Sequence, residues 1–376
     1  MAAILNINLK KIAHNVSFIS SKIKEFNNGK IFGVTKVVCG DPEIAKVFIE
    51  NGYYGLAESR LENVVRIKES SFYKEFVKDG KKIEFLNLRI PAFSEIPDLI
   101  NLTDCSLVSE YETIKKIDEI CSKINKKYNI IIMIDLGDLR EGIIPKEAKS
   151  LEKKLWENEV YDFFSKIINF KNINIVGIGT NLACYGGIAP SVENMKLLVS
   201  LKNFIEKNFN LDLKYISGAN SSGIPLLLEG GMPKEVNHFR IGETGLLGVN
   251  VLNRESIKGM FQDAFILRAE IIELKEKPSV PIGNKGQNAF GEIVHFEDKG
   301  IQLRGILSIG KQDVVIENLK PVDNKISILG ASSDHLEIDL TNRKDNYKLG
   351  DFVEFIPGYS ALLALSTSKY VKKNYI

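Results

Sequence analysis

The chain has 376 residues, too many for one small core and suited to two domains or to one large barrel with a smaller companion. Lys and Arg number 50 against 48 Asp and Glu, and the formal net charge of +2 argues against a nucleic-acid-binding stripe or a polybasic membrane anchor. Hydrophobic residues make up 44%, enough for a sizeable core, yet the longest apolar runs, such as Asn129–Leu136 and Gly223–Leu228, fall far short of a membrane span.

The N-terminus, Met-Ala-Ala-Ile-Leu-Asn, has neither a basic leader nor a long apolar stretch, so no signal peptide and a cytoplasmic location are expected. The four cysteines, Cys39, Cys105, Cys121 and Cys184, form no Cys-x-x-Cys pair and are read as free, buried thiols. The four histidines are scattered, so no metal site is expected.

Leu9, Ile12, Val16, Ile19, Ile23 and Phe26 step by three or four residues and predict a helix ended by Asn28-Gly29. Ile31–Val34 then reads as a buried strand leading to Lys36, with Gly40-Asp41-Pro42 opening the next helix. Strands follow at Tyr54–Ala57, Ile83–Leu88, Ser106–Val108, Asn129–Asp135, Ile173–Ile178, Lys214–Ser217 and His238–Ile241. Helices are expected at Ile96–Leu102, Glu110–Lys123, Glu147–Asn169, Ser191–Asn208 and Ser222–Glu229. Eight strands alternating with helices over about 240 residues fit an α/β fold of the (β/α)8 TIM-barrel kind better than an open doubly wound sheet.

From about Ala264 the texture changes to strand-like alternation, first over Phe265–Leu274. Further runs are Gly300–Leu307, Asp313–Ile316, Ile326–Leu329, Leu336–Leu340 and Phe352–Phe355, before a final helix over about Ser360–Val371. The expected division is a barrel over residues 1–255 and a β-rich C-terminal domain over 256–376, joined near Asn253–Asp263.

Barrel chemistry belongs to the C-terminal strand ends and the loops after them. Those ends carry Lys36, then Glu58-Ser59-Arg60, then Asp135-Leu136-Gly137-Asp138-Leu139-Arg140-Glu141-Gly142. They continue with Gly179-Thr180-Asn181-Leu182-Ala183, Ser217-Gly218-Ala219-Asn220-Ser221-Ser222-Gly223 and Arg240-Ile241-Gly242-Glu243-Thr244-Gly245. A lysine in such a mouth is desolvated, which lowers an amine's pKa and makes it a usable nucleophile or base. The plainer alternative is a strand-end lysine snorkelling to water. Two small-residue turns opening helices suit a phosphate, although ordinary helix caps look the same. One lysine, arginines, amides and two such turns would all be used by a phosphorylated carbonyl cofactor joined to the lysine as a Schiff base, and pyridoxal phosphate is that kind of cofactor.

These stretches, with Val34–Gly40 (Val-Thr-Lys-Val-Val-Cys-Gly) and Gly330–His335 (Gly-Ala-Ser-Ser-Asp-His), resemble the alanine racemase-type, fold-type III pyridoxal-phosphate enzymes over nearly the whole chain. Within them the resemblance is to the alanine/ornithine racemase branch, the ornithine racemases most of all. It implies an amino-acid racemase in which Lys36 carries the cofactor and is one of two bases. Arg240 would face the pyridine nitrogen and keep it unprotonated. Ser221, Gly242 and the backbone N–H of Glu243 would bind the phosphate, with Asn220 in the same turn, and Tyr359 matches the family's C-terminal phosphate-binding tyrosine. Arg140 matches an arginine near the phenolic oxygen, and Asn181 stands where alanine racemases have a ring-stacking histidine.

Two departures bear on the substrate. The family's catalytic tyrosine lies in a Gly-Tyr-Ala-Asp-Gly segment, and the corresponding Gly310-Lys311-Gln312-Asp313-Val314 lacks it. The tyrosine usual after the cofactor lysine is replaced by Cys39-Gly40. Lys311, Asp313, Asp334, His335 or a tyrosine from elsewhere are then candidates for the second base. Acidic residues in Gly310–Asp313 and Ser332–His335 could pair with a distal ammonium, as ornithine carries, and Ser333, Asp334 and His335 are the expected substrate contacts. The resemblance also implies a homodimer with shared active sites. Alternatives are a racemase for alanine or another amino acid, a decarboxylase of the same fold type and a non-catalytic carrier of the cofactor. The decarboxylases' Cys-Asp-x-x-Asp motif is absent, and the carriers are typically lone barrels.

Overall fold

A computed structural model describes residues 2–343 and 346–376. Contacts divide them into two units, one of Lys11–Phe261 and one of the N-terminal segment through Lys10 together with Gln262–Ile376. The division thus falls six residues beyond the expected position of 255, and the first strand, β1 (Ala3–Ile7), goes with the C-terminal unit.

The Lys11–Phe261 unit contains most of α1 (Leu9–Phe26), whose stripe of Ile12, Val16, Ile19 and Ile23 is buried as its spacing predicts. It continues with β2 (Lys30–Val34), α2 (Pro42–Glu50), β3 (Gly55–Glu58), α3 (Leu61–Glu69), α4 (Ser71–Lys78), β4 (Glu84–Asn87), α5 (Ile96–Leu102), β5 (Cys105–Val108), α6 (Tyr111–Lys123) and β6 (Tyr128–Met133). There follow α7 (Lys153–Ile167), β7 (Ile173–Gly179), α8 (Val192–Phe209), β8 (Tyr215–Ser217), β9 (Ala219–Asn220), α9 (Ile224–Leu228), β10 (His238–Ile241) and α10 (Glu243–Leu247).

The strands pair in the order β8-β7-β6-β5-β4-β3-β2-β10-β9, all in parallel. Gly218 separates β8 from β9, which pair with β7 and β10 respectively, so one strand position bridges both neighbours and the sheet forms a nearly closed TIM-like barrel. Its interior is filled by Phe32, Val34, Ala57, Leu86, Leu107, Ile131 and Met133. At the starting ends of the strands Lys30 Nζ donates to Tyr215 Oη at 2.9 Å and lies 3.6 Å from the centre of the Tyr54 ring.

Three local differences from the sequence-based expectation have physical causes. The helix expected over Glu147–Asn169 begins only at Lys153, because residues 143–152, with Pro145, form an irregular arm tied back through Ile143 N to Met133 O at 2.9 Å. Helices α3 and α4 abut at Ser70, whose hydroxyl caps α4, a stretch in which charged residues dilute the apolar stripe. The strand ends at Val34, and Lys36 opens a single 3-10 turn, Lys36–Val38, rather than prolonging the strand. Cys39 and Gly40 stop that turn with φ of 54° and 62°.

The second unit continues with β11 (Phe265–Pro278), β12 (Ile301–Leu307), β13 (Leu319–Pro321), β14 (Ser327–Ala331), β15 (Leu336–Asp339), β16 (Phe352–Pro357), α11 (Tyr359–Thr367) and β17 (Lys372–Tyr375). Its sheet runs β13-β16-β11-β12-β15-β14 with antiparallel pairs. Strand β1 lies antiparallel to β11 and parallel to β17. The strand expected over Asp313–Ile316 is absent: residues 310–314 turn through hydrogen bonds of Asp313 N and Val314 N to Gly310 O, at 3.0 and 3.1 Å. The C-terminal helix stops at Thr367, and β17 follows it. Among the described residues no helix is long and apolar enough to cross a membrane.

Leu5 is fully buried between β11 and β17. Leu5→Ala is expected to cost about 2–5 kcal/mol in urea denaturation. Lys10→Ala, on an exposed residue, is expected to shift stability by no more than about 0.5 kcal/mol.

Candidate active site

Seven of the expected residues sit at the C-terminal end of the barrel strands. Lys36 follows β2, Arg140 follows β6, Asn181 follows β7, Asn220 ends β9, Ser221 follows it, and Gly242 and Glu243 follow β10. Arg240 is the eighth, within β10 itself and 3% exposed.

Arg240 is fixed by four hydrogen bonds. Nε donates to Ser217 Oγ at 2.9 Å, Nη2 to Thr180 O at 2.5 Å and to Ser217 O at 3.0 Å, and Nη1 to Asn181 Oδ1. Burial lowers its pKa to about 10, while Glu141 is the foremost charge opposing that fall and Arg140 adds to it. The Ser217 hydroxyl accepts from Arg240 and is hydrogen-bonded to His238 Nδ1 at 2.8 Å. Burial, helped by Arg240 and Lys30, lowers His238 to about 3 and keeps it neutral.

Asn181 turns its carbonyl to Arg240 and its NH2 to Glu141 Oε1. The other carboxylate oxygen of Glu141 accepts from Arg140 Nε at 2.8 Å. Arg140 Nη1 in turn donates to Cys184 Sγ at 3.3 Å. One chain of contacts therefore joins the two arginines, Arg240–Asn181–Glu141–Arg140, and ends on a thiol.

Two aspartates build the loops that make this possible. Asp135 accepts from the backbone N–H of Gly137, Leu139 and Arg140, at 2.9, 3.2 and 3.1 Å, and so folds the turn presenting Arg140. Asp138 is 0% exposed and accepts from the N–H groups of Cys184, Tyr185 and Ile188, at 3.1, 2.9 and 3.0 Å, which folds the loop after β7.

At β10 the backbone N–H groups of Gly242 and Thr244 both meet Ser221 Oγ, each at 3.3 Å. Gly242 is required there, because a Cβ would stand 2.8 Å from Val34 O and 2.9 Å from Val34 Cβ. Asn220 caps the turn, accepting from Ser222 N at 2.8 Å and donating to Leu182 O at 2.9 Å. Glu243 is paired with Arg254, and burial holds its carboxyl above the ordinary value.

Burial lowers the Lys36 amine from 10.5, opposed first by Cys184 and then, after Arg140 reinforces the fall, by Glu58. Glu58, at the end of β3, is buried and accepts from Thr35 Oγ1 at 2.6 Å, Ser59 N at 3.1 Å and Asn63 Nδ2 at 3.1 Å. Burial nevertheless raises its pKa. Cys184, expected as a buried thiol, is exposed, because its loop is hung from Asp138 by the backbone and leaves the side chain at the surface of the barrel end.

The remaining expected residues lie in the β-rich unit. Lys311 Nζ is 3.5 Å from Glu292 Oε2 and 4.3 Å from the centre of the Phe290 ring. Asp313 is buried and accepts from Ser368 Oγ at 2.5 Å. Ser333 and Asp334 are exposed, the serine donating to the Asp334 carboxylate at 2.6 Å. His335 Nδ1 is 3.4 Å from Ser332 Oγ, and Tyr359 is the first residue of α11. Sequence reasoning passed over Glu141, Cys184, Asp138 and Glu58, although all four lie in or beside strand-end motifs. The available signal was a carboxylate directly following an arginine in a mouth otherwise rich in cations.

The sequence model of the alanine racemase N-terminal domain matches residues 7–250. The chain is 40% identical to an ornithine racemase of Acetoanaerobium sticklandii over 374 residues, 99% of each chain. It is 38% identical to a lysine racemase of Thermotoga maritima over 374 residues, covering 99% of this chain and 98% of the relative. Among solved structures, an alanine racemase of Bartonella henselae with covalently bound pyridoxal phosphate superposes with a TM-score of 0.69 at 20% identity, covering 100% of both chains.

Two outcomes are expected from this geometry. Asp138→Ala removes the buried acceptor that three loop N–H groups share and should cost about 1–3 kcal/mol in urea denaturation. Leu139→Ala, on the exposed neighbour, should cost no more than about 0.5 kcal/mol. The second outcome concerns pH. With its pKa lowered on folding, Lys36 binds fewer protons in the folded than in the unfolded chain, so its burden on stability lifts as pH rises from the lowered value through 10.5. Lys36→Met should therefore stabilise the ligand-free protein at neutral pH, with a gain that shrinks towards pH 10.5 in a pH series of thermal melts.

Proposed function

The chain belongs to the alanine racemase family and is an amino-acid racemase, and from that premise we propose that it uses pyridoxal phosphate held at Lys36 to racemise ornithine. The observation that carries the substrate is the 40% identity to an ornithine racemase along the whole of both chains, with a lysine racemase at 38% as the comparator. The lack of a tyrosine at position 311 supports a substrate other than alanine.

The residues present fit the cofactor. Gly242 and Thr244 turn two N–H groups toward the Ser221 hydroxyl, in a turn where a Cβ at 242 has no room. Thr180 Oγ1, beside the Arg240 guanidinium, is buried without a hydrogen-bond partner. Lys36 is an amine that burial inclines to its reactive neutral form. Ser221, Gly242 and Glu243 would hold the phosphate, with Asn220 shaping their turn. Arg240 would face the ring nitrogen, Asn181 the ring and Arg140 the phenolic oxygen. When bound, pyridoxal phosphate condenses with amines and withdraws electrons from Cα, which makes the Cα–H acidic.

The chain's own part is to place charges and move protons. Arg240 cannot easily lose its proton, because four acceptors surround it and its pKa remains near 10. A fixed cation at the ring nitrogen opposes protonation there, which restrains electron withdrawal and favours simple proton exchange at Cα over decarboxylation or elimination. Neutral Lys36 takes or returns a proton on one face of Cα. A homodimer is the assembly proposed for the working enzyme.

The purified protein loaded with pyridoxal phosphate is expected to show a visible cofactor band, lost in Lys36→Ala, and to racemise L-ornithine. A screen of all amino acids for Cα–H exchange in deuterated water decides the substrate. Exchange and inversion confined to lysine would move the assignment to lysine. Release of carbon dioxide would mark a decarboxylase, and cofactor binding without exchange on any amino acid would mark a carrier.

A further inference from the structure

The two arginines assigned to the cofactor, Arg140 and Arg240, are joined through a single carboxylate. We propose that Glu141 is a positioning residue for the cofactor: it turns the Asn181 amide so that its carbonyl faces Arg240, and it holds the Arg140 guanidinium, so that both cations are set before the cofactor arrives. This role rests on the cofactor reading given above.

The polarity of the Asn181 side chain follows from what flanks it. Arg240 Nη1 is a donor and Glu141 Oε1 an acceptor, so only one of the amide's two orientations matches both. Asn181 is 6% exposed, and a reversed amide would set donor against donor on one side and acceptor against acceptor on the other, away from water. Glu141 supplies the acceptor that selects the orientation observed. Its other oxygen accepts from Arg140 Nε at 2.8 Å. The glutamate side chain is 11% exposed and that of Arg140 36%, so the arginine reaches inward to a carboxylate that is already largely covered.

The loop does not need this carboxylate for its own fold. Asp135 shapes the turn by accepting from the N–H groups of Gly137, Leu139 and Arg140, and Ile143 N ties the end of the loop to Met133 O at 2.9 Å. The hydrogen bonds of the Glu141 carboxylate run instead to two side chains, both of residues at the barrel mouth. Glu141 is also the foremost charge supporting the Arg240 cation against burial, although Asn181 stands between them.

A carboxylate is required because it offers two acceptors and no donor. With Glu141→Gln there are amides at both 141 and 181, and every arrangement of the two leaves one donor facing another, at Arg140, at Arg240 or between the amides. Asn181→Asp fails in the opposite way, setting two carboxylate oxygens face to face. Making both changes restores each pair. The carboxylate at 181 then accepts from Arg240 and from the amide at 141, whose carbonyl accepts from Arg140, and the formal charge equals that of the parent.

The test compares the parent, Glu141→Gln, Asn181→Asp and the double variant. It reads the dissociation constant of pyridoxal phosphate by fluorescence titration, the absorbance of the loaded proteins, and kcat and KM for ornithine. A cation beside the phenolic oxygen keeps that oxygen ionised, so a displaced Arg140 should move absorbance from the visible band toward the near-ultraviolet, which a loss of stability alone would not do. Each single variant should bind the cofactor at least ~10-fold more weakly, show that spectral shift and lose kcat by at least ~10-fold. The double variant should bind more tightly than either single and return the absorbance to the visible band. Thermal melts of the cofactor-free proteins report folding. Where one single variant is unfolded, the other is set against the double; where both are, a folded double with the parent's band upholds the role and one without it overturns it. The role is also overturned if Glu141→Gln binds as tightly as the parent with an unshifted band, or if the double variant is unfolded or no better than the worse single, which would leave Glu141 a structural part only. A parent enzyme with no Lys36-dependent band would sink the cofactor reading, and this role with it.

Discussion

The barrel mouth depends on keeping one guanidinium charged in a place where water cannot reach it. A buried cation survives only when its donors are met and opposite charge is close. Arg240 has acceptors from three sources: the backbone of Thr180 and Ser217, the Ser217 hydroxyl and the Asn181 amide. The same Ser217 hydroxyl is hydrogen-bonded to a histidine held neutral. Protonating His238 would place a second cation against the first. The neutral imidazole and the charged guanidinium are thus two parts of one arrangement.

Asn181 connects this centre to the rest of the mouth. An amide offers an acceptor and a donor, and here the acceptor faces a cation while the donor faces a carboxylate. Glu141 then counters both arginines, directly at Arg140 and through the amide at Arg240. Its removal would leave two guanidinium groups with less opposing charge, and burial already disfavours the charge on Arg240. The Asp135 and Asp138 clamps act one level below. They spend their oxygens on backbone N–H groups, which sets where Arg140 and the loop after β7 stand and leaves the charge balance to Glu141 and Glu58.

Much of this was legible in the sequence because barrel strands advertise themselves as apolar runs and end in unusual residues. Lys36, Arg240 and the Ser221 and Gly242 turns were found from strand ends alone, and the change of texture near Ala264 marked the second unit. What was not legible depended on long-range pairing. Strand β1 has the alternation of a strand, with Ala3, Leu5 and Ile7 buried, but its partners lie more than 250 residues away. Asp313–Ile316 has strand-like composition, yet hydrogen bonds to Gly310 O bend it into a turn. Cys184 resembled any buried cysteine, since its exposure is imposed by Asp138, a residue 46 positions earlier.

The charge state of Lys36 follows from the same balance. Burial and two arginines favour the neutral amine, whereas Cys184 and Glu58 favour the ammonium. Glu58 opposes the amine's neutrality only while it is ionised, and burial pulls its own pKa upward against the three donors that hold it. A buried carboxyl inclined to keep its proton is a weak counter-ion. The barrel therefore surrounds its lysine with fixed positive charge and a softened negative one. That combination favours the neutral, nucleophilic form of the amine.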